Sequence, residues 1–575
     1  MKKLIPLIPG IILLALFIAY SLSGIRSSGP LDKLVQLLLL VPSVILISLF
    51  YSGQTEKDLA GKLRYLIMRP SSALFCAAAM LLLLIFSIWI ALDALEEIPK
   101  GGDEVAYFFQ SKVFASGNLS APVPGVSDPR NYFPFRHFIF RNGMWFIMYT
   151  PTHALAMAPF TLLRISWLLG PIEGILILLG IYLLVKTWSC ELYARVCVIL
   201  LLLSPFFLLM IPTYMAHNSN LLFVTWGLLL LSKGWKEDRL LLSIISGFLL
   251  GTAFTTKPYP IIAWGLFLTV FLLLRGKKGI RHLLCMAAGS LLPAAFLFTT
   301  NWYYTGNPLH TTYELARGGS LVGFGKGRAY YPVYGNFDHT VFKGIKNVAH
   351  QFIIGSIALF GWPGISGVPI LIAFWKGLRT STVRWLFVPP AILALLLVAH
   401  YAPAIAYGPR HYFTMIPIFI FLSSLGISIF IKYYTTKFGL RGSNFAVLVI
   451  AGLFCITIFT YLPEEISLRS GPWQAIDREP SRMASEVVEI PAVVFMQADE
   501  HGYPNICSGL LLNSPDLSGD IIYCAHQTEE SDRAFMELYP DRQYYLFWFD
   551  GRESHMEQWS ETRADALEPS YSMRK

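Results

Sequence analysis

Gly101-Gly102-Asp103-Glu104-Val105-Ala106-Tyr107 places two adjacent carboxylates just after Ser72–Leu92, an apolar run long enough to cross a bilayer. Charge beside a membrane is costly, so a carboxylate pair there needs a reason. One reason is chemical: a carboxylate held at a membrane surface can take a proton from an alcohol or amine acceptor. The other is structural, because Asp and Glu favour the first turn of a helix, where they meet free N–H groups and the positive end of the helix dipole. Tyr107 follows one helical turn on, and Lys112 and Gly117 close a short amphipathic segment.

Three further groups sit where topology would leave few of them. Lys257 ends an apolar run in Thr255-Thr256-Lys257-Pro258, and Arg410 opens another in Tyr407-Gly408-Pro409-Arg410-His411-Tyr412. His217 lies in Met215-Ala216-His217-Asn218. All three fall at the outer membrane boundary, the side that positive-inside bias depletes of cations. A cation there either snorkels to lipid headgroups or binds an anionic group, Arg as a fork and Lys as a point charge. Cations from several spans facing outside carboxylates suit a lipid-phosphate substrate. His217 by itself fits an ordinary interfacial histidine.

The elements that must position these groups are membrane helices. Hydrophobic residues make up 55% of the 575 residues and charged residues 14%, with mean hydropathy +0.54; a soluble domain carries about 25% charged residues. Apolar stretches of spanning length, about thirteen, fall near 4–22, 34–51, 72–92, 171–187, 196–212, 219–232, 240–256, 259–274, 283–300, 353–375, 385–400, 412–431 and 444–462. Lys2 and Lys3 place the N-terminus inside. The short inside loops then hold Lys57, Lys62, Arg64 and Arg69, later Lys233, Lys236 and Arg239, and then Arg275, Lys277, Lys278 and Arg281. Lys376, Arg379 and Arg384 follow, then Lys432, Lys437 and Arg441. This alternation explains the net charge of +9 and puts 93–170, 301–350, 401–411 and 463–575 outside. No basic block with interleaved aromatics lies in a soluble segment, so no nucleic acid partner is expected. The first span also fits a signal peptide, whose removal would change the side of no later loop.

The first outside loop runs through Arg130, Arg136, His137 and Arg141 to Tyr149-Thr150-Pro151-Thr152-His153. Its interfacial aromatics predict two or three short helices on the membrane surface. The second is rich in Gly and Tyr (Gly318-Gly319, Gly323-Phe324-Gly325-Lys326-Gly327-Arg328, Tyr330, Tyr331, Tyr334) and suits a mobile flap. No strand precedes that glycine string, which argues against a dinucleotide site. In the tail, Ala492–Gln497, Ile521–His526 and Tyr544–Asp550 read as short buried strands and Glu529–Leu538 as a helix. Cys507 and Cys524 lie where a disulfide is permitted, and no Cys/His cluster has zinc spacing. The chain thus divides into 1–71 (two extra helices and an inside loop), a core 72–462, and a tail 463–575 that forms a separate small α/β docking or acceptor-recognition unit.

The motifs occur in a telling order. Asp103-Glu104 and Tyr107 come first, then Tyr149-Thr150-Pro151-Thr152-His153, Ser204-Pro205-Phe206-Phe207 and Met215-Ala216-His217. Gly247 and Gly251 precede Lys257-Pro258; Gly306-Asn307-Pro308-Leu309, Gly361-Trp362-Pro363 and Gly408-Pro409-Arg410-His411-Tyr412 complete the set. Across residues 72–430 this resembles the GT-C superfamily of integral-membrane glycosyltransferases, in the bacterial branch related to protein O-mannosyltransferases and the aminoarabinose transferases of lipid A. The resemblance implies an all-α polytopic membrane protein, GT-C-like, with a small extracytoplasmic α/β domain, in the bacterial plasma (inner) membrane. It implies a polyprenyl-phosphate sugar as donor, an extracytoplasmic lipid, glycan or protein acceptor, and an inverting mechanism. Asp103 would be the general base and Glu104 would orient the acceptor or the base. Lys257 and Arg410 would neutralise the leaving phosphate. Tyr107, His153, His217 and Tyr412 join them as expected substrate contacts. No cofactor is expected beyond the lipid-phosphate sugar itself, and no carboxylate cluster calls for a metal.

Two other classes fit the composition: a flippase for lipid-linked glycans, and a non-catalytic envelope assembly factor. The first would favour repeats and midplane charges, whereas the informative charges here lie at the outer boundary. The topology predicts that a cysteine introduced at Gly125 or Gly325 reacts with an impermeant thiol reagent applied outside, while one at Gly276 does not. Labelling of the opposite sidedness would overturn it.

Overall fold

A computed structural model describes residues 6–22, 30–318, 322–331, 335–377, 381–402, 406–471, 473, 476–497, 506–550 and 552–567. Lys2, Lys3, Gly319, Tyr334 and Arg379, used above, lie outside the described residues. Among these, five helical segments are long and apolar enough to cross a membrane: Leu34–Ser52, Ser72–Ala94, Ser166–Trp188, Gly276–Thr305 and Arg410–Arg469. Five shorter apolar helices accompany them. The chain is an integral membrane protein. Ser72–Trp89 shows why: Cys76, Ala79, Leu83 and Ser87 face the protein, while Leu74, Leu81, Leu82 and Ile85 are exposed, as a lipid-facing surface requires.

Hydropathy alone counted spans too simply in three places. The stretch 196–212 breaks into Glu191–Leu202 and Pro205–Met210, because Pro205 cannot donate the next helical hydrogen bond. Ser204 Oγ at the break donates to Leu359 O (2.6 Å). The stretch 353–375 divides around Gly361-Trp362-Pro363, between Val341–Ala358 and Val368–Gly377. The stretches 412–431 and 444–462 meet within Ile416–Ile456 at Gly439, whose φ of 59° suits glycine.

Small residues set the helix that ends in Lys257. Leu240–Thr256 packs on Gly276–Thr305 so closely that a Cβ at Gly247 would stand 2.0 Å from Met286 O, and one at Gly289 1.9 Å from Ile244 O. Such contact is how membrane helices associate when apolar surface already finds lipid.

The loop expected outside, 93–170, holds the helix Gly102–Ala115, the turn Pro129–Tyr132 and the helix Thr152–Leu162. It also holds a feature not anticipated: an antiparallel hairpin, Phe138–Arg141 with Met144–Ile147, to whose second strand Ala121–Pro122 adds. Its turn is Asn142-Gly143, both at positive φ, an Asn-Gly hairpin signal that was present in the sequence. In the second loop Gly325–Tyr331 pairs with Gly335–His339, and the helix Val341–Ala358 begins before the loop's expected end.

In the tail, Ala492–Met496 is flanked by parallel partners Ile521–Ala525 and Gln543–Phe549, and Ser554–Gln558 pairs antiparallel outside the latter. All five residues of the central strand are buried, the signature of a strand covered on both faces. Cys507 and Cys524 are both buried and are not joined in a disulfide. This sheet is not a freestanding unit, because its core is continuous with that of the first outside loop. Tyr132 and Phe133 meet Phe535 (ring centroids 4.9 and 6.3 Å). Lys112 Nζ donates to Leu511 O (2.7 Å) and Asn513 O (2.9 Å), and burial lowers its pKa to about 7. Gln527 Nε2 donates to Asn131 O (2.8 Å). The helix Gly102–Ala115 is thus clamped from the tail.

Phe535→Ala, at a fully buried position, should cost about 3–5 kcal/mol. Limited proteolysis should then cut the tail and the 93–170 loop together. Cleavage confined to the tail would show that the two do not share a cooperative core.

Candidate active site

Successive helical residues point about 100° apart, so Asp103 and Glu104 face different surroundings. Asp103 faces a cavity of about 340 Å³. Its Oδ1 accepts the Tyr149 hydroxyl hydrogen bond (2.6 Å) and its Oδ2 lies 3.3 Å from Arg410 Nη2, with 13% of the side chain exposed. Burial pushes the Asp103 carboxyl up, but the charges of Arg410 and Lys257 and the Tyr149 hydrogen bond outweigh it and hold the group well below the usual carboxylate range.

Glu104 faces the protein. It is 1% exposed and does not line the cavity. Oε1 accepts from the Tyr407 hydroxyl (2.6 Å) and Oε2 from Tyr214 N (3.1 Å). Both oxygens are engaged inside the protein, so Glu104 does not reach into the cavity to meet an acceptor, the first of its two expected roles; orienting the neighbouring Asp103 is the other. Burial raises its pKa to about 7.

Lys257 stands where the helix Leu240–Thr256 stops and Pro258 opens the next. Its Nζ lies 5.8 Å from the Tyr149 ring centroid. Two elements hold that helix end. Thr150 Oγ1 donates to Thr256 O (3.0 Å) and Thr152 Oγ1 to Thr255 O (2.9 Å), so Tyr149-Thr150-Pro151-Thr152 is stapled to it. Asn220 Nδ2 donates to Ala253 O (2.6 Å). Arg410 opens a 3-10 turn, Arg410–Met415, that also lines the cavity.

Of the residues singled out from the sequence, Asp103, Tyr107, Lys257 and Arg410 converge on the cavity. Tyr107 is buried beneath it, between Tyr149 and His153 (4.9 and 5.0 Å). The others do not line it. His153 is committed to Ser219 Oγ (2.7 Å) and Tyr214 O (3.0 Å). His217 is buried where the helix His217–Glu237 begins. Tyr412 points into apolar packing with Phe352 and Phe419. One-dimensional spacing marked these three, but their side chains leave the turn away from the cavity.

The cavity also contains groups that were not foreseen. Arg136, beside His137, and Arg317, over the Tyr313 ring (5.7 Å), face it, as do His400 and His411. Arg136 and His137 were visible in a basic run; Arg317 sits in the Gly/Tyr-rich loop, where no local pattern marks it. Among the described residues, four cations (Arg136, Lys257, Arg317, Arg410) stand against the carboxylates of Asp103 and Glu314. The Glu314 carboxylate is occupied by a capping box with Thr311. The cavity therefore carries a surplus of positive charge and favours an anionic ligand.

No family model matches the sequence, and no curated protein matches it. Solved structures do. ArnT from Cupriavidus metallidurans bound to undecaprenyl phosphate superposes with a TM-score of 0.53 at 13% identity, over 83% of this chain and 93% of that one. Its apo form gives 0.50 at 14% identity, over 83% and 92%. The Archaeoglobus fulgidus oligosaccharyltransferase gives 0.45 at 11% identity, over 82% and 69%. The chain has the fold of the GT-C membrane glycosyltransferases over most of its length. Within that class, the solved structures it resembles include the aminoarabinose transferase ArnT.

Tyr149→Phe removes one charge-assisted hydrogen bond from Asp103, worth about 1.5–3 kcal/mol, so its pKa should rise by about one unit or more. Difference infrared spectra, assigned with Asp103→Asn, should show the protonated carboxyl band at higher pH in Tyr149→Phe than in the wild type. An unmoved band would mean the hydroxyl does not bear on the carboxylate.

Proposed function

We propose that this protein is a glycosyltransferase that moves a sugar from a polyprenyl-phosphate donor to an extracytoplasmic acceptor, with inversion at the sugar carbon. The observation that carries this reading is Asp103, a partly exposed carboxylate between Tyr149, Arg410 and Lys257, in a cationic cavity where two apolar helical segments begin and end. The ArnT solved with undecaprenyl phosphate shares the fold. The same reading places the protein in the bacterial inner membrane with the cavity and the tail outside.

In the proposed reaction the acceptor hydroxyl gives its proton to Asp103 as its oxygen attacks the anomeric carbon. The bond from that carbon to the phosphate oxygen breaks, and the electron pair leaves with the lipid phosphate. Arg410 and Lys257 meet the charge that develops there, which is where preorganised cations accelerate most. The resting ion pair gives the site a further property. A donor phosphate competes with Asp103 for Arg410, so donor entry weakens the interaction that depresses the carboxyl. Asp103 becomes a better base once its substrate has arrived.

The test is purified protein in nanodiscs, with radiolabelled polyprenyl-phosphate sugars and candidate lipid or protein acceptors. Asp103→Asn should lower turnover by roughly two to four orders of magnitude without weakening donor binding, because it frees Arg410 from its competitor. Arg410→Ala should weaken the donor by about 1.5–3 kcal/mol, Arg410→Lys should recover only part, and Lys257→Ala with Arg410→Ala should be non-additive. Movement of labelled lipid across a vesicle without a new glycosidic bond would favour a flippase. Small, additive effects would leave the cations as headgroup anchors.

A further inference from the structure

Arg410 is carried by a segment whose backbone shape must be imposed. Tyr407 sits at φ +60°, a left-handed conformation that bulky residues avoid, and Gly408 follows at φ +89°. Gly408 also lies against Phe206, where a Cβ would meet the ring at 3.0 Å. Arg410 N then donates to Gly408 O (2.8 Å). The place of the guanidinium therefore follows from that of Tyr407, three residues earlier.

Tyr407 is held from two directions. Its hydroxyl donates to Glu104 Oε1 (2.6 Å), and Glu104 is fixed in turn by Tyr214 N. Its ring is covered by Trp473 (4.5 Å between centroids) and by the Arg469 guanidinium (5.7 Å). Arg469 ends the helix Leu462–Arg469, the last stretch of the segment Arg410–Arg469, and its Nη1 is paired with Glu465 (2.6 Å). A buried ring needed only for packing would have no use for a hydroxyl placed on a carboxylate. Asp103 and Glu104, adjacent in one helix, grip one segment at two points, Arg410 and Tyr407.

We propose that Tyr407 is a positioning residue: anchored on Glu104 and clamped by Arg469 and Trp473, it sets where Arg410 stands against Asp103. The helix Leu462–Arg469 is thereby coupled to the reacting groups. This rests on the glycosyltransferase reading given above. Asp103 is the reporter. It is faced by Arg410 and His411 from the turn, Lys257 and His217 from helix ends, His137 and Tyr149 from the loop, Tyr313 from the short helix that follows Thr311, and Tyr107 and Glu104 from its own helix. Loosening Arg410 removes the largest of the charges that lower its pKa.

The experiment is the pH profile of kcat/KM, whose acid limb reports the base of the free enzyme. Tyr407→Phe keeps the ring and removes the donor; its acid limb should move up by about one pH unit, with kcat down about tenfold. Glu104→Gln, whose amide still offers an oxygen to the hydroxyl, should lie nearer the wild type than Tyr407→Phe does. Arg469→Gln should shift the limb in the same direction. A wild-type acid limb in Tyr407→Phe, whatever its yield or thermal stability, would overturn the proposal; if that variant fails to fold, Arg469→Gln decides. If the wild type transfers no sugar, the functional reading fails separately, and undecaprenyl phosphate affinity decides the positioning role. A loss of threefold or more in Tyr407→Phe would support it, and equal binding would reject it.

Discussion

The carboxylate of Asp103, largely withdrawn from water, sets the terms for everything around it. An ionised carboxyl taken from water costs several kcal/mol unless compensated. Here the compensation comes from three distant pieces of chain: Tyr149 from the outside loop, Lys257 from a helix end and Arg410 from a turn. None of these groups is adjacent in sequence. Each depends on its own scaffold: the Thr150 and Thr152 staples, the glycine contact at Gly247 and the strained turn at Tyr407. The ion pair can form only when the helices have already converged.

The neighbouring carboxylate shows how one helix serves two purposes. Rotating by one residue turns a group from the cavity into the protein, so Glu104 becomes a support while Asp103 stays at the surface of the cavity. A further polar layer lies below. His153 bridges Ser219 Oγ and Tyr214 O, and Ser219 donates to Glu173. Polar groups this deep rigidify a site when their partners are supplied.

Much of the architecture was legible in the sequence because bilayer physics is one-dimensional: apolar runs of sufficient length mark helices. Asp103, Lys257 and Arg410 stood out because charge at a membrane boundary is conspicuous. Proline and glycine decided what hydropathy could not, at Ser204-Pro205, at Gly361-Trp362-Pro363 and at Gly439. The direction of a side chain from a turn was invisible. His153, His217 and Tyr412 have suitable chemistry and spacing, yet face protein, whereas Arg317 has an unremarkable context and faces the cavity. The strands of the tail were visible as buried apolar runs, but nothing in one sequence says which surface such a sheet will cover.

That surface has a consequence for biogenesis. The apolar back of Gly102–Ala115 is completed by residues from the sheet 492–558, which the ribosome delivers only after the last membrane helix. Until then Lys112, Tyr132 and Phe133 lack the tail groups they meet, and Asp103 lies on a helix whose floor is incomplete. The cavity wall that carries Asp103 is therefore completed only at the end of translation. On the proposed function, a chain stalled or clipped after its membrane helices would remain inert, so an unfinished copy could not spend lipid-linked sugar.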